Sequence, residues 1–564
     1  MSEPTPQDRR VLIIGWDGGT WRVFRPLVEK GLMPRLKSLM DRGAFGIMTS
    51  TIPPLTPPAW TTLLTGLPPE RHGVFGFLEG LLPGEAVPVH GNNVRPLSAL
   101  SIRKKDLLEL LGEAGRRVMA VNVPMSYPPR PINGFMVTGM MTPDNADNFT
   151  WPPELKNELD DYQIDVVTAS DRKQRRIEYE SLKTPSLVRR CTQVLGRRVK
   201  NVLRLGRSHS WDFGIVVFTG TDRIFHKAWH EVAALAAAEA PENEVQRLLV
   251  QFFKALDDAL GALVGAFDDA SVMVVSDHGF GPWPTRTVYP DVLLEKHGLL
   301  FRRSPRPARW GLERFVRRTI RRAIETVLGP ARANVLLGKG KGRQARMMET
   351  VDPERTLAYY AMFDWYSLGA VRLMKETTAG LDEAQRKDLV DRIISVMRSI
   401  RDPQTGEPVV LNIWRRQDLF PDPVVDFLPE VVMEFRESYT GRIDPLAEAV
   451  FGGAPDSAES GIHDTQGMFV LAGAPIRTAG EVPPLKLADV APTVLYLSGL
   501  SVPTNMQGEI PLTLFTEDHV QAHPPQTGTP GTPPTPPSDT PRQSYTPDQE
   551  KHIRDRLRQL GYLE

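Results

Sequence analysis

An acid and an imidazole stand side by side in "VVSDHGFG", residues 274–281, directly after a run of apolar residues. Asp277 and His278 are one of several such placements. Asp17 closes "VLIIGWD", Asp222 follows "IVVFTGT", and His226 lies four residues beyond Asp222 in "TDRIFH". His463 sits in "SGIHDTQG", a glycine-flanked turn just before "MFVLAG". Taken singly, an Asp at a strand end is an ordinary turn or cap residue, and a lone His is an ordinary structural one. Together they offer carboxylate and imidazole donors, the ligands that divalent ions such as Zn²⁺ and Mn²⁺ prefer. Six such groups exceed the needs of one ion, so the set predicts two.

A nucleophile would complete that chemistry, and "STIPPLTPPAWTTLLTG", residues 50–66, offers Thr56. Pro57 and Pro58 read as the first turn of a helix over "AWTTLLTG", which places the Thr56 hydroxyl at or near a helix N-terminus. That position favours an anionic oxygen and a bound phosphate. A threonine is weakly nucleophilic at its ordinary pKa, and metal coordination is one way to activate it. The spacing alone leaves two roles open, helix cap or nucleophile.

The elements that must carry these residues are short apolar runs alternating with amphipathic stretches. Residues 11–17, 118–124, 134–140, 212–222, 271–279 and 467–473 read as buried strands, and 245–266 has apolar residues at helical spacing. This alternation predicts an α/β fold, a three-layer sandwich whose mainly parallel sheet is covered on both faces. Ligands of such sheets bind beyond the carboxyl ends of the strands. Asp17, Asp222 and Asp277-His278 would all meet there. Asp222 and His226, four apart in a helix, would share one face.

The chain has 564 residues, enough for one large domain with insertions or for two. Its 68 basic and 68 acidic residues cancel, which argues against a nucleic-acid polymer as partner. The one cysteine, Cys191, excludes an internal disulfide or a thiolate metal site and is read as an inert, half-buried thiol. The N-terminal region has no transmembrane or secretory run, and the expected compartment is the cytoplasm.

The ordered set "GWDGG", "LTPPAWTTLLTGLPPERHG", "TDRIFH", "VVSDHGFG" and "GIHDTQG" resembles the alkaline phosphatase superfamily. Within it, the type I phosphodiesterase/nucleotide pyrophosphatase branch and its phosphohydrolase/phosphomutase relatives are most similar. The likeness runs from residue 11 to about residue 513. It implies an alkaline phosphatase-like sandwich in which Asp17, Thr56, Asp277 and His278 hold one metal, while Asp222, His226 and His463 hold the other. It also implies that Thr56 is transiently phosphorylated and that His72 is structural. Where nucleotide pyrophosphatases carry an oxyanion-binding Asn, the ungapped match places Phe77. A sulfatase frame is absent, since Thr56 is followed by "PPAW".

The expected organisation is an alkaline phosphatase-like catalytic domain over residues 1–515, a Pro/Thr-rich disordered linker over 516–545 and an amphipathic helix over 546–564. Basic stretches at 171–207 and about 301–350 read as a long helix and a helical cap for an anionic substrate. The expected function is a metal-dependent phosphodiesterase or phosphatase with two Zn²⁺ or Mn²⁺ ions, acting on a phosphodiester or nucleotide-type phosphoanhydride. Phosphomutase or phosphotransferase chemistry on a phosphorylated metabolite, sugar or lipid headgroup is the alternative. A third reading is an inactive relative that binds an anionic ligand. The expected partner is a phosphorylated small molecule or headgroup, with room left for peripheral membrane contact and a homodimer.

Overall fold

The computed structural model describes residues 10–80, 95–102, 104–166, 183–303, 343–364, 367–455, 459–528 and 545–559. Most of the expected basic cap and the first third of the 171–207 stretch lie outside these residues. The chain divides into two compact units, one within 1–77, 96–281 and 459–556, the other within 78–95, 282–458 and 557–564. Residues 282–458 thus form their own unit inside the stretch expected to be a single domain.

The first unit is built on one large sheet. Its main strands are β1 (Arg10–Trp16), β2 (Gly43–Thr49), β3 (Val118–Val123), β4 (Gly134–Thr138), β5 (Thr150–Trp151), β6 (Phe213–Phe218), β7 (Ala270–Val275) and β8 (Gln466–Ala472). Their order is β2-β8-β7-β1-β6-β3-β4-β5. Strands β7, β1, β6, β3 and β4 run parallel, as their unbroken apolar composition predicts. Strand β8 runs antiparallel between β7 and β2.

Helices cover both faces. Val11 and Ile13 of β1 share a core with Trp60 and Leu63 of α1 (Thr56–Thr65) and with the wholly buried helix Val490–Leu497. On the other face Trp16 stacks near Phe24, and Phe24 meets Phe253 of a long amphipathic helix. That helix is one of three, α2 (Thr184–Ser208), α3 (Gly220–Ala237) and α4 (Glu244–Ala266). All ten residues of α1 are buried, which explains why it is apolar or hydroxylic all round. Gly15 lets α1 lie close on β1, because a Cβ there would come within 2.3 Å of the Trp60 ring. Cys191, on α2, is fully buried rather than half-buried, and burial pushes its thiol up and out of reach of ionisation.

Part of the expected linker is structured. Residues Glu517–Ala522 are helical, and Thr527–Gly528 pair with Val502–Pro503. The terminal helix α5 (Pro547–Gln559) starts with a capping box, in which Gln549 N–H donates to Thr546 Oγ1 (3.2 Å) and Thr546 N–H donates to Gln549 Oε1 (3.0 Å). A helix this short needs a surface to pack on, and it finds one on its own unit. Tyr545 stacks on Tyr127 at 5.6 Å and its hydroxyl lies 3.0 Å from Leu97 O and 3.1 Å from Met141 O. Buried Arg556 donates to Thr142 O (2.8 Å) and Asp144 Oδ1 (3.1 Å). Among the described residues, no helix is long and apolar enough to cross a membrane.

The second unit carries a four-stranded antiparallel sheet of Ala358–Met362, Leu368–Leu373, Val431–Phe435 and Val410–Arg415. Asp291 is buried in this unit, with Oδ1 accepting Tyr360 N–H (2.8 Å) and Oδ2 lacking a hydrogen-bond partner. Burial pushes its carboxyl up to about 7.

Two predictions follow from these buried charges. Replacing Arg556 with Met removes one donor to the Thr142 carbonyl and to the Asp144 carboxylate, at a cost of about 2–3 kcal/mol; calorimetry should show a melting temperature lower by a few degrees. For Asp291 the folded state favours the protonated form, so its contribution to stability is complete at pH below 4 and is lost as pH rises through about 7. The amide of Asp291→Asn does not ionise. Its melting temperature should match wild type near pH 4, rise above it progressively toward pH 7, and hold a constant lead beyond.

Candidate metal centre and nucleophile

Asp17 follows the last residue of β1, and Asp277-His278 stand just after β7 at the same edge of the sheet. The loop after β6 leads straight into α3, whose first turn carries Asp222 with His226 one turn later. His463 precedes β8. It reaches the carboxyl edge because β8 is antiparallel, so the start of that strand lies where its neighbours end. None of the seven expected residues is more than 2% exposed.

Six of the seven converge. His278 Nε2 lies 3.5 Å from Asp17 Oδ1, 3.4 Å from Asp277 Oδ2 and 4.0 Å from Asp222 Oδ1. Asp222 Oδ1 is also 3.2 Å from His463 Nε2 and 3.4 Å from His226 Nε2. Two groups able to hold a cation result, Asp222 with His226 and His463, and Asp17 with Asp222 and His278. The structure therefore sets Asp222 at the junction of both groups, where the resemblance assigned it to one.

Each ring is oriented through its second nitrogen. His278 Nδ1 is 3.1 Å from Gly279 O, His463 Nδ1 is 2.9 Å from Pro54 O, and His226 Nδ1 is 3.6 Å from Glu459 Oε2. These partners turn every Nε2 toward the carboxylates, the arrangement that supports metal-ligating histidines. Phe280 packs against all three rings, with centroids 4.8–5.9 Å away, and closes the donors off with an apolar wall. Gly18 sits beside Asp17 at φ +71° and donates its N–H to Asp277 Oδ1 (3.1 Å). A Cβ there would meet Phe280 at 2.9 Å, so only glycine suits the position.

The electrostatics fit a cation. Asp17 Oδ1, Asp277 Oδ2 and His278 Nε2 are buried without a hydrogen-bond partner; burial opposes ionisation of Asp222, but His226 and Arg223 outweigh it and hold its carboxyl well below the ordinary range. Burial, with Asp277 and Asp222 nearby, raises the Asp17 carboxyl well above its ordinary range, and burial lifts Asp277 to about 8. Burial keeps the His278 ring neutral, so with Nδ1–H directed at Gly279 O, its Nε2 presents a lone pair to carboxylate oxygens. Acceptors facing acceptors repel, and a divalent ion between them removes the repulsion. Burial opposes charging of His226, but Glu459 and Asp222 outweigh it and bring the ring up to about 9.

Thr56 is the first residue of α1, and the N-cap is Leu55, which makes no side-chain cap bond. Thr56 therefore does not serve as the cap. Its loop is tied to the donors through the Pro54–His463 contact and through Ser50 Oγ, which donates to Asp277 O (2.6 Å). His72 stays apart from the donor set. Val74 N–H donates to its Nδ1 (3.1 Å), Nε2 lies 2.9 Å from Thr62 Oγ1, and burial pushes the ring down to about 3. Phe77 is a buried apolar residue with no side-chain donor to offer an oxyanion.

Sequence reasoning missed Glu459, Asp165 and Arg223. Arg223 adjoins Asp222 in "TDRIFH" and was visible as a neighbour, whereas nothing local marks Asp165 or Glu459.

The sequence profile of the family described as Type I phosphodiesterase / nucleotide pyrophosphatase matches residues 11–442. Among solved structures, phosphonoacetate hydrolase from Sinorhizobium meliloti in complex with phosphonoformate is similar at 17% identity and TM-score 0.49, over 87% of this chain and 96% of that one. Murine ectonucleotide pyrophosphatase / phosphodiesterase 5 is similar at 13% identity and TM-score 0.46, over 90% of this chain and 100% of that one. No curated protein matches the chain.

The crowding of acceptors predicts opposite effects of one substitution. In chelator, Asp17→Asn should melt several degrees above wild type, because a buried like charge is gone. With Zn²⁺ present the order should reverse, because a ligand is gone; differential scanning fluorimetry in both buffers reads the two signs.

Proposed function

The chain belongs to the type I phosphodiesterase / nucleotide pyrophosphatase family, and from that premise we propose that it hydrolyses a phosphodiester or nucleotide-type phosphoanhydride through a phospho-threonine at Thr56. It is a phosphoester hydrolase of the alkaline phosphatase superfamily, a metal-dependent group. The observation that carries the finer reading is the set of buried, mutually repelling acceptors tied to the loop that leads into Thr56. Asp17, Thr56, Asp277 and His278 would hold one divalent ion, and Asp222, His226 and His463 the other. Zn²⁺ suits this set best and Mn²⁺ next. Such ions supply Lewis-acid charge that lowers the pKa of a hydroxyl and offsets the negative charge on phosphoryl oxygens.

The chain's own residues do the rest. Pro57 and Pro58 fix the backbone of the first turn of α1, so Thr56 is held in one place. The dipole of α1 favours a phosphoryl anion at that end. Thr56 Oγ1 forms a bond to phosphorus as the bond to the leaving oxygen breaks; its proton passes to solvent, and the leaving group departs with the electron pair. Water then attacks phosphorus, the Oγ1–P bond breaks, and Thr56 recovers a proton as the phosphate product leaves. The Phe280 wall limits water around the donors, which strengthens every charge interaction there. The same donor set has no need of a thiol or a disulfide, in keeping with a cytoplasmic setting.

Turnover should therefore depend on the hydroxyl. With Zn²⁺ or Mn²⁺ bound, Thr56→Ala should lower kcat at least about a thousandfold, while Thr56→Ser keeps measurable turnover. Bis-p-nitrophenyl phosphate and the p-nitrophenyl ester of thymidine monophosphate should be cleaved faster than p-nitrophenyl phosphate. Acid-quenched wild type should show an 80 Da adduct on Thr56 by mass spectrometry, about the mass of one HPO₃ group. Wild-type turnover by Thr56→Ala would defeat the covalent mechanism.

A further inference from the structure

Asp222 is the ligand common to both donor groups, and only one of its oxygens faces them. Oδ1 lies within 3.2–4.0 Å of three imidazole nitrogens, whereas Oδ2 accepts from Arg223 Nη1 at 2.8 Å. We propose that Arg223 is a positioning residue which, with Asp165 as its counter-charge, fixes Asp222 so that the single oxygen Oδ1 faces the imidazole donors. This inference rests on the metal-dependent reading above.

Neighbouring residues on a helix point about 100° apart, so the contact between Asp222 and Arg223 does not follow from their adjacency. It depends on where the guanidinium is held. Asp165, 58 residues earlier in the chain, takes that role: its Oδ2 accepts from Arg223 Nη2 (2.8 Å) and Nε (3.2 Å). Arg223 and Asp165 are 2% and 4% exposed, so this fork sits in a low-dielectric setting where its geometry is rigid. A planar guanidinium reaches both carboxylates at once. A lysine ammonium, a point charge on a flexible stem, cannot reproduce that fork.

Asp165 also solves an electrostatic problem. A lone buried cation beside Asp222 would act as its counter-ion and compete with a metal for the same carboxylate. Asp165 offsets the charge of Arg223, so the pair is close to neutral as seen from the donors. Asp222 then keeps its full charge for the cations while its orientation stays fixed. Both parts of the device are needed, the donor that orients and the acid that cancels.

The test is the Zn²⁺ dissociation constant of the full chain, measured by competition with a chelating dye, with circular dichroism and thermal melting as checks on folding. Arg223→Met should weaken binding 10- to 100-fold, the range for loss of a residue that supports a metal ligand. Arg223→Lys should fall between Met and wild type. Asp165→Asn should weaken binding about tenfold, since Arg223 would then compete for Asp222. If Arg223→Met fails to fold, the double replacement Arg223→Met/Asp165→Leu decides, because removing both charges strands neither partner; it should fold and still bind weakly. Folded variants that bind Zn²⁺ within twofold of wild type overturn this inference and leave the functional reading intact. Failure of wild type itself to take up Zn²⁺ overturns the functional reading, and this one with it.

Discussion

Carboxylates and imidazoles do not share a dry space without a cation or a donor between them. Around His278 the space is filled by acceptors: Asp17 Oδ1, Asp277 Oδ2 and Asp222 Oδ1 lie 3.4–4.0 Å from its Nε2. Holding them there works against the fold until positive charge arrives, and the surrounding structure is arranged to withstand that strain. β1, β6 and β7, the strands that deliver the acids, are central and buried on both faces. Their ladder bonds and packing supply rigidity that loops alone would not.

The same constraint accounts for what lies next to the donors. Pro54 O, Gly279 O and Glu459 lie at the far nitrogens of the rings, Gly18 N–H and Arg223 bind the far oxygens of two acids, and Phe280 excludes water. In each case the partner takes one polar atom and thereby turns the other inward. The loop tied to this set leads into the N-terminus of α1, an end whose dipole favours an anion. Elsewhere the structure spends its polar contacts on stability. Tyr545 and Arg556 tie the terminal helix to the loops after β3 and β4, and His72 serves Thr62 and Val74 as a neutral structural ring.

Much of the site was legible in order of sequence. Unbroken apolar runs ending in Asp17 and in Asp277-His278 read as parallel strands that bring these residues to one edge, and the strands are parallel with that edge in common. Asp222 and His226, four apart, read as one helical face, and α3 provides it. His463 was legible as a residue type, but the turn read there is a short strand, Gly461–Asp464, and its place depended on a strand direction that no local pattern carries. The role of Thr56 was ambiguous for a similar reason, since a cap and a nucleophile share one local signature, and the placement of Leu55 as N-cap removes the cap role. The first residues of the stretch expected to be a linker from 516 are structured, with Thr527–Gly528 paired to Val502–Pro503, a contact invisible in composition.

The sequence by itself determined which Asp and His residues stand at the strand ends and helix turns and the elements on which they ride, because apolar periodicity and helical spacing act over a few residues and leave a local trace. Tertiary structure alone decided that β8 runs antiparallel, that Asp222 stands between two donor groups, and that Asp165 reaches Arg223 across 58 residues. Those outcomes follow from how buried surfaces and buried charges can be satisfied together in the whole unit, a balance struck among residues distant in the chain.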